Sequence, residues 1–397
     1  MLELIKGPYL QNPGEISMTV RWETSGRASG KGVLYAAART HRGPLEAGQE
    51  PMREVIAESI PLLENEDGIV SSSFIHSVTF NELEPGTTYF YRVCSEGEGG
   101  TAESQLHPLK TSPGEGTPFS FAVTSETGGF SWMDKTGGEI NRSIFAQMNQ
   151  FRPDLALFIG DIVDDGNRYE DWDTYFFAPG KELLSTTPFY SCLGNHEDNA
   201  AWFYRFFAYP QPRNYYSFDY GDVHFTCLDS TDFVQWGDYP NSSVPIGPGH
   251  PQYDFLEQDL ASSGARWKIV FFHYPPYVSG SYQVEAMREL CPVLEKYGVD
   301  VVLNSHTIVY ERSFPLKDNK VDFDEGIVYI VSGGAGAMPE WLLPKREWHT
   351  AQSLAVPHFI QAVVTRERLE FKVMDDEGRL FDLYQIRKDA DGRKQHF

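Results

Sequence analysis

The sequence predicts two domains of different class: an all-β sandwich, then a larger α/β domain whose strands are buried on both faces. Three observations carry this reading. Up to about Thr111, short β-branched and aromatic segments alternate apolar and polar residues and are separated by Gly, Pro and Asn turns, the pattern of an antiparallel sandwich. Beyond a Pro/Gly-rich stretch the pattern changes to continuous apolar runs, each ending in a polar, glycine-containing loop. The 397 residues also exceed one ordinary domain.

Taken in order, Ser17–Trp22, Gly32–Tyr35, His76–Phe80 and Thr88–Val93 read as strands of the first domain. Lys110–Pro118 is the linker, which divides the chain into 1–111, a linker at 112–118, and 119–397. In the second domain the buried strands are Phe119–Val123, Leu155–Ile159, Phe189–Leu193, Lys268–Phe272 and Val299–Leu303, with helices expected over Gly138–Gln150, Tyr253–Ala261 and Gln283–Lys296. Tyr215–Tyr220, Val223–Leu228, Gly326–Val331 and His358–Val364 read as antiparallel strands, which favours a β-sandwich flanked by helices over a simple doubly wound sheet.

A formal net charge of −23 repels polyanions, so nucleic acid and anionic membranes are not expected partners. No apolar run of about 18 residues spans a membrane. Met1–Lys6 lacks the features of a signal peptide, giving a cytoplasmic expectation if the chain is full-length, although a removed leader would leave the same opening. Cys94, Cys192, Cys227 and Cys291 are far apart and read as free thiols.

Four strand ends carry the chemistry. Gly160-Asp161-Ile162-Val163-Asp164 puts carboxylates on a glycine-flanked turn that can close around a cation. Gly194-Asn195-His196-Glu197 offers an amide oxygen beside an imidazole, and His273 and His306 end two further apolar runs. A lone histidine at a strand end is more often a hydrogen-bonded core residue than a ligand. Asp, Asn, His and His delivered by four strand ends of one domain point instead to a metal site.

In this order the motifs resemble those of the calcineurin-like metallophosphoesterases, and Tyr310-Glu311-Arg312 after the histidine resembles the purple acid phosphatases in particular. Gly7-Pro8-Tyr9-Leu10-Gln11 is similar to the opening of that family's fibronectin type III-like N-terminal domain, and Tyr215–Asp219 and Tyr329–Gly334 also match. The resemblance implies an αββα sandwich flanked by helices and two metals sharing a bridging aspartate. It also implies a metal-activated hydroxide that attacks the phosphorus of a small-molecule phosphate ester. By position it makes Asp161 the bridge, with Asn195, His273 and His306 completing the second metal site and His196 binding phosphate or protonating the leaving group.

The first metal site departs from the family. Ser125-Glu126-Thr127-Gly128 stands where Gly-Asp-x-Gly is expected, so Glu126 replaces the ligand aspartate. Asp164 replaces the tyrosine whose charge-transfer band colours these enzymes, and Ile308 stands where the last motif, Gly-His-x-His, has its second histidine. Glu126, Asp161 and Asp164 then form an all-oxygen set suited to Mg²⁺, Mn²⁺ or Ca²⁺, while the Asp161/Asn195/His273/His306 set suits Zn²⁺, Mn²⁺ or Fe²⁺. A metal-dependent phosphoesterase is the leading reading. The alternatives are a catalytically weakened phosphatase fold that binds a ligand or partner, and a mononuclear enzyme with non-phosphate chemistry. Tyr274, Tyr277, Phe233, Trp236, Tyr239 and Trp341 are candidates either for the cleft or for the domain interface, and Arg312 either for phosphate binding or for an anchoring ion pair.

Overall fold

The structure is a computed structural model that describes residues 1–39, 44–62, 72–128, 135–235, 244–340 and 346–397. The N-terminal part packs two antiparallel sheets face to face. Leu4–Gln11, Met18–Thr24, Phe74–Phe80 and Glu58–Pro61 form one, and the other is built around Ala28–Arg39 and Thr88–Gly97. Their inner faces meet at Trp22, Leu34, Val78, Phe80 and Tyr91, alternate residues of adjacent strands, as period-two burial requires.

The second part contains two seven-stranded mixed sheets. The strands that position the site are β1 (Phe119–Thr124), β2 (Leu155–Phe158), β3 (Phe189–Ser191), β4 (Trp267–Phe271) and β5 (Val301–Asn304). Parallel β1, β2 and β3 form one half of the first sheet, and β4 and β5 pair in parallel at the centre of the second. Side chains along the second sheet sort by parity. Ile269, Phe271, Val301 and Leu303 enter the core between the sheets, where Phe121 meets Phe225 edge-on at 5.5 Å. Val270, Phe272 and Val302 face the opposite way, under helices that include Leu256 and Leu294. Helix α1 (Gly137–Phe151) covers the outside of the first sheet through Ile144, Phe145 and Met148. It starts at a capping box between Thr136 and Glu139. The layers are therefore helix, sheet, sheet, helix, and continuous apolar strands are what burial on both faces demands.

Three expectations are corrected. Val223–Cys227 and Val328–Ser332 are antiparallel on one edge only; the other edge pairs in parallel with β4 and β5 respectively. Apolar runs flanked by turns do not encode the direction of the neighbouring strand. The helix expected over Gln283–Lys296 is a 3₁₀ segment at Glu285–Leu290 followed by an α-helical turn at Cys291–Lys296. Pro292 lacks the N–H that would have bonded back into the preceding turn. All four cysteines are free thiols, and no described helix is long and apolar enough to cross a membrane.

Candidate metal centre

Each residue singled out in the sequence lies just past a strand end: Glu126 after β1, Asp161 after β2, Asn195 and His196 after β3, His273 after β4 and His306 after β5. Glu126, Asp161 and His306 have φ of 57°, 50° and 67°, a left-handed backbone that costs a non-glycine residue about 1–2 kcal/mol and clusters at functional sites. Gly160 (φ +78°) and Gly194 let the loops close. A Cβ on Gly160 would lie 2.8 Å from His273 Nδ1, and one on Gly194 would lie 2.2 Å from Asp161 Oδ1.

The donors converge. One atom each from Asp161, His273 and His306 lies within 4.8 Å of the others. His273 Nε2 is 3.0 Å from Asp161 Oδ2 and 3.2 Å from Asn195 Oδ1. His273 Nδ1 lies 2.8 Å from the Ile159 carbonyl, which can only accept, so Nδ1 carries the proton and Nε2 is turned toward the cluster. Asp161 Oδ1 accepts from the His196 backbone N–H at 2.9 Å, leaving Oδ2 for the site. A carboxylate, an amide oxygen and two imidazoles, buried apart from the half-buried Asn195, fit one borderline divalent ion.

Glu126 and Asp164 are placed differently. Glu126 Oε1 accepts from Ser305 Oγ at 2.7 Å and from the His306 N–H at 2.8 Å, and stands 3.9 Å from His273 Nε2. Ser305 Oγ in turn hydrogen bonds Ser125 Oγ. Asp164 offers its backbone carbonyl to the His196 Nδ1–H at 2.7 Å, while its carboxylate acts on Asp171 and Tyr175. The structure thus brings together Asp161, Asn195, His273 and His306, keeps Glu126 beside them on protein donors, and leaves the Asp164 carboxylate outside the cluster.

Burial and mutual charge set the protonation of the group. Burial raises Glu126 to about 8, with the Asp161 charge adding to the effect. Burial would also raise Asp161, but His273 outweighs it and holds the carboxyl at about 2. The reverse balance lifts His273 to about 9. Burial and the charge on His273 lower His306 to about 3, so its imidazole is neutral. Burial depresses His196, but Asp161 and the Asp164 carbonyl raise it overall.

Sequence reasoning gave no role to Glu197. Its carboxylate, fully buried, accepts from the N–H groups of Asp161 (2.8 Å), Ile162 (2.7 Å) and Gly194 (2.5 Å), tying the β2 and β3 loops together. An acid directly after Asn195-His196 at a glycine turn was the available signal. Glu197→Ala strands three buried donors and is expected to cost at least about 3 kcal/mol. Thermal unfolding checks this, and a melting temperature within about 2 °C of the parent would remove Glu197 from that role.

Arg312 is not in the site. It pairs bidentately with Asp382 (2.8 and 3.1 Å), which also accepts from the Tyr310 hydroxyl. Tyr274 packs edge-on against His306 at 4.5 Å and belongs to the cleft, whereas Tyr277 packs on Tyr329 and Phe233 on His250 in the second sheet's outer core. Trp236, Tyr239 and Trp341 lie outside the described residues.

Two facing mixed sheets with helices outside, and a carboxylate–imidazole donor set at their strand ends, define an αββα metallophosphoesterase. Residues 132–310 match the calcineurin-like phosphoesterase family, and residues 6–111 match the purple acid phosphatase N-terminal domain. Glu126 precedes the first of these matches. Arabidopsis thaliana purple acid phosphatase 18 is 27% identical over 376 residues, 88% of this chain and 76% of that protein. A protein from the same plant named probable inactive purple acid phosphatase 1 is 27% identical over 375 residues, 80% of this chain and 58% of that protein. A purple acid phosphatase from yellow lupin seeds shares the fold, with a TM-score of 0.79 at 20% identity, over 97% of this chain and 74% of that one. The chain spans between half and two thirds of several other curated relatives it matches. The chain belongs to the calcineurin-like phosphoesterases of the purple acid phosphatase type, a family of metal-dependent hydrolases of phosphate esters.

Proposed function

We propose that this chain hydrolyses small phosphate esters with a single divalent ion, Zn²⁺, Mn²⁺ or Fe²⁺, at Asp161, Asn195, His273 and His306. The observation that carries the reading is the convergence of Asp161, His273 and His306 donors within 4.8 Å while Glu126 Oε1 is taken by Ser305 and the His306 backbone. An ion held there would supply Lewis acidity toward a phosphoryl oxygen and lower the pKa of an attacking water. In the hydrolysis water adds to phosphorus, the P–O ester bond breaks, and the departing alkoxide takes up a proton.

His196 is placed to give that proton. Its Nδ1–H is committed to the Asp164 carbonyl, the residue is exposed beside the cluster, and the Asp161 charge and that carbonyl raise its pKa, which favours the proton-carrying form of the ring. His196→Ala is expected to keep its metal and lose roughly 10²-fold or more in turnover of an alkyl ester such as glycerol 2-phosphate, whose alkoxide needs the proton. Unchanged turnover would take His196 out of the mechanism. The reading as a whole is tested by metal analysis of protein purified without chelator, together with p-nitrophenyl phosphate turnover after metal loading. One ion per chain with turnover is expected.

A second reading, a weakened phosphatase fold that binds a ligand, draws on the altered first site and on the relatives named as probably inactive. One ion per chain without turnover would favour it.

A further inference from the structure

The outer face of the N-terminal sandwich carries charge that water does not reach. Along Met18–Thr24, Val20 and Trp22 enter the sandwich core, so Arg21 and Glu23 point the other way, where a sandwich alone would meet solvent. Yet Arg21 is 6% exposed, Glu23 0% and neighbouring Lys6 4%. Burial of such groups is costly unless each is paired and hydrogen-bonded. The partners come from the second domain, in two segments that flank His196.

The first segment runs from Asp164 to Trp172. Its inner end holds His196 twice: the Asp164 carbonyl accepts from the ring, and the Gly166 N–H donates to the His196 carbonyl at 2.8 Å. Its middle is braced by the Asp165 N–H on Asp171 (3.0 Å) and by Trp172 Nε1 on the Gly166 carbonyl (2.9 Å). Its outer end reaches the sandwich, where the Tyr169 hydroxyl donates to Glu23 Oε1 at 2.6 Å. Lys6 Nζ pairs with Glu23 Oε2 at 3.0 Å and lies 3.7 Å over the Tyr169 ring. The second segment is the helix Ala201–Phe206, which follows the β3 loop. Trp202 Nε1 joins it to the first segment through the Asn167 carbonyl at 3.2 Å. Its C-terminal carbonyls are taken by the sandwich, that of Arg205 by Arg21 at 2.9 Å and that of Phe206 by Tyr9 at 2.8 Å.

A general acid acts only within hydrogen-bond reach of the leaving oxygen, and a displacement of about 1 Å can cost 10²-fold. The His196 ring is aimed by the Asp164 carbonyl, so its aim follows the segment that Glu23 anchors. Resting on the phosphoesterase reading above, we infer that the N-terminal domain takes part in the hydrolysis. Glu23 and Tyr169 are positioning residues that hold His196 where it can protonate the departing alkoxide.

The test compares full-length, metal-loaded parent and Tyr169→Phe on glycerol 2-phosphate, whose alkoxide needs a proton, and on p-nitrophenyl phosphate, whose phenolate leaves without one. Phenylalanine keeps the ring and leaves Glu23 its ion pair with Lys6 and its hydrogen bond from Ser73, so metal content and melting temperature are expected to match the parent. For glycerol 2-phosphate kcat is expected to fall about tenfold with KM unchanged, and for p-nitrophenyl phosphate less than about twofold. Ser73→Ala, which takes a donor from the same carboxylate without touching the segment, is expected to keep the parent's ratio. Equal slowing of both esters, slowing of neither, an equal effect of Ser73→Ala, or a parent that hydrolyses only p-nitrophenyl phosphate overturns the positioning inference and leaves the phosphoesterase reading intact. If the parent hydrolyses neither ester, the phosphoesterase reading is what fails. The tie between Glu23 and the His196 loop is then read from hydrogen exchange at the Gly166 amide, expected to be about tenfold faster in Tyr169→Phe. Parent-like exchange there refutes the tie as well.

Discussion

Replacing His273 by alanine is expected to leave the purified protein with no bound transition metal, and His306→Ala is expected to do the same. Each supplies a nitrogen donor to a buried cluster that also contains Asp161. No other described imidazole or thiol joins that set within 4.8 Å, and water replaces a borderline nitrogen ligand poorly. The His273 imidazole has a second function: its Nδ1–H satisfies the Ile159 carbonyl behind the loop. His273→Ala therefore also strands a buried acceptor, at about 1–3 kcal/mol. His306→Ala carries no such cost through Ile159, so the pair separates metal loss from unfolding. Elemental analysis alongside thermal melting checks both, and wild-type metal content in both folded variants would remove the proposed site.

The second large effect is expected from Glu126→Asp combined with Ile308→His. Ile308 stands two residues after His306 on a tight turn closed by Thr307 N–H to Ser305 O and Val309 N–H to Thr307 O, each 2.8 Å. The backbone of this turn is held on two further sides: the Ile308 carbonyl accepts from Glu340 N–H at 3.0 Å, and the Val309 carbonyl from Gly333 N–H at 3.1 Å. An imidazole at 308 would be delivered by a rigid loop, and shortening Glu126 withdraws its carboxylate from Ser305 and the His306 N–H. Metal content is expected to rise from one ion per chain toward two, with a gain in p-nitrophenyl phosphate turnover. A folded double variant that still holds one ion and gains no activity would show that the alignment of these two positions with the family's first site is mistaken.

Much of the centre was legible because strand ends are legible. A buried strand is a continuous apolar run, and the polar residue that ends it must project from the sheet edge, so Asp161, Asn195, His273 and His306 could be placed together from the sequence. The helix expected over Gly138–Gln150 came within about one residue of α1 at each end, and the structure starts it at the Thr136–Glu139 capping box. What stayed hidden was pairing that depends on distant residues. Nothing local to Val223–Cys227 says that β4 will lie alongside it in parallel, and nothing local to Glu197 says that its carboxylate will gather N–H groups from two loops. The engagement of Glu126 by Ser305, 179 positions away, is of the same kind.

The parity of burial in the second sheet has a geometric consequence. Asp161 and Asn195 hang from the first sheet and His273 and His306 from the second, so the donors face one another across the apolar layer that holds the sheets apart. The span between carboxylate and imidazole is then a reading of that layer's thickness, as a calliper reads a plate. Facing sheets sit about 10 Å apart because of the side chains between them. A change of volume at Phe121 or Phe225, which meet within that layer, would thereby be carried to the jaws.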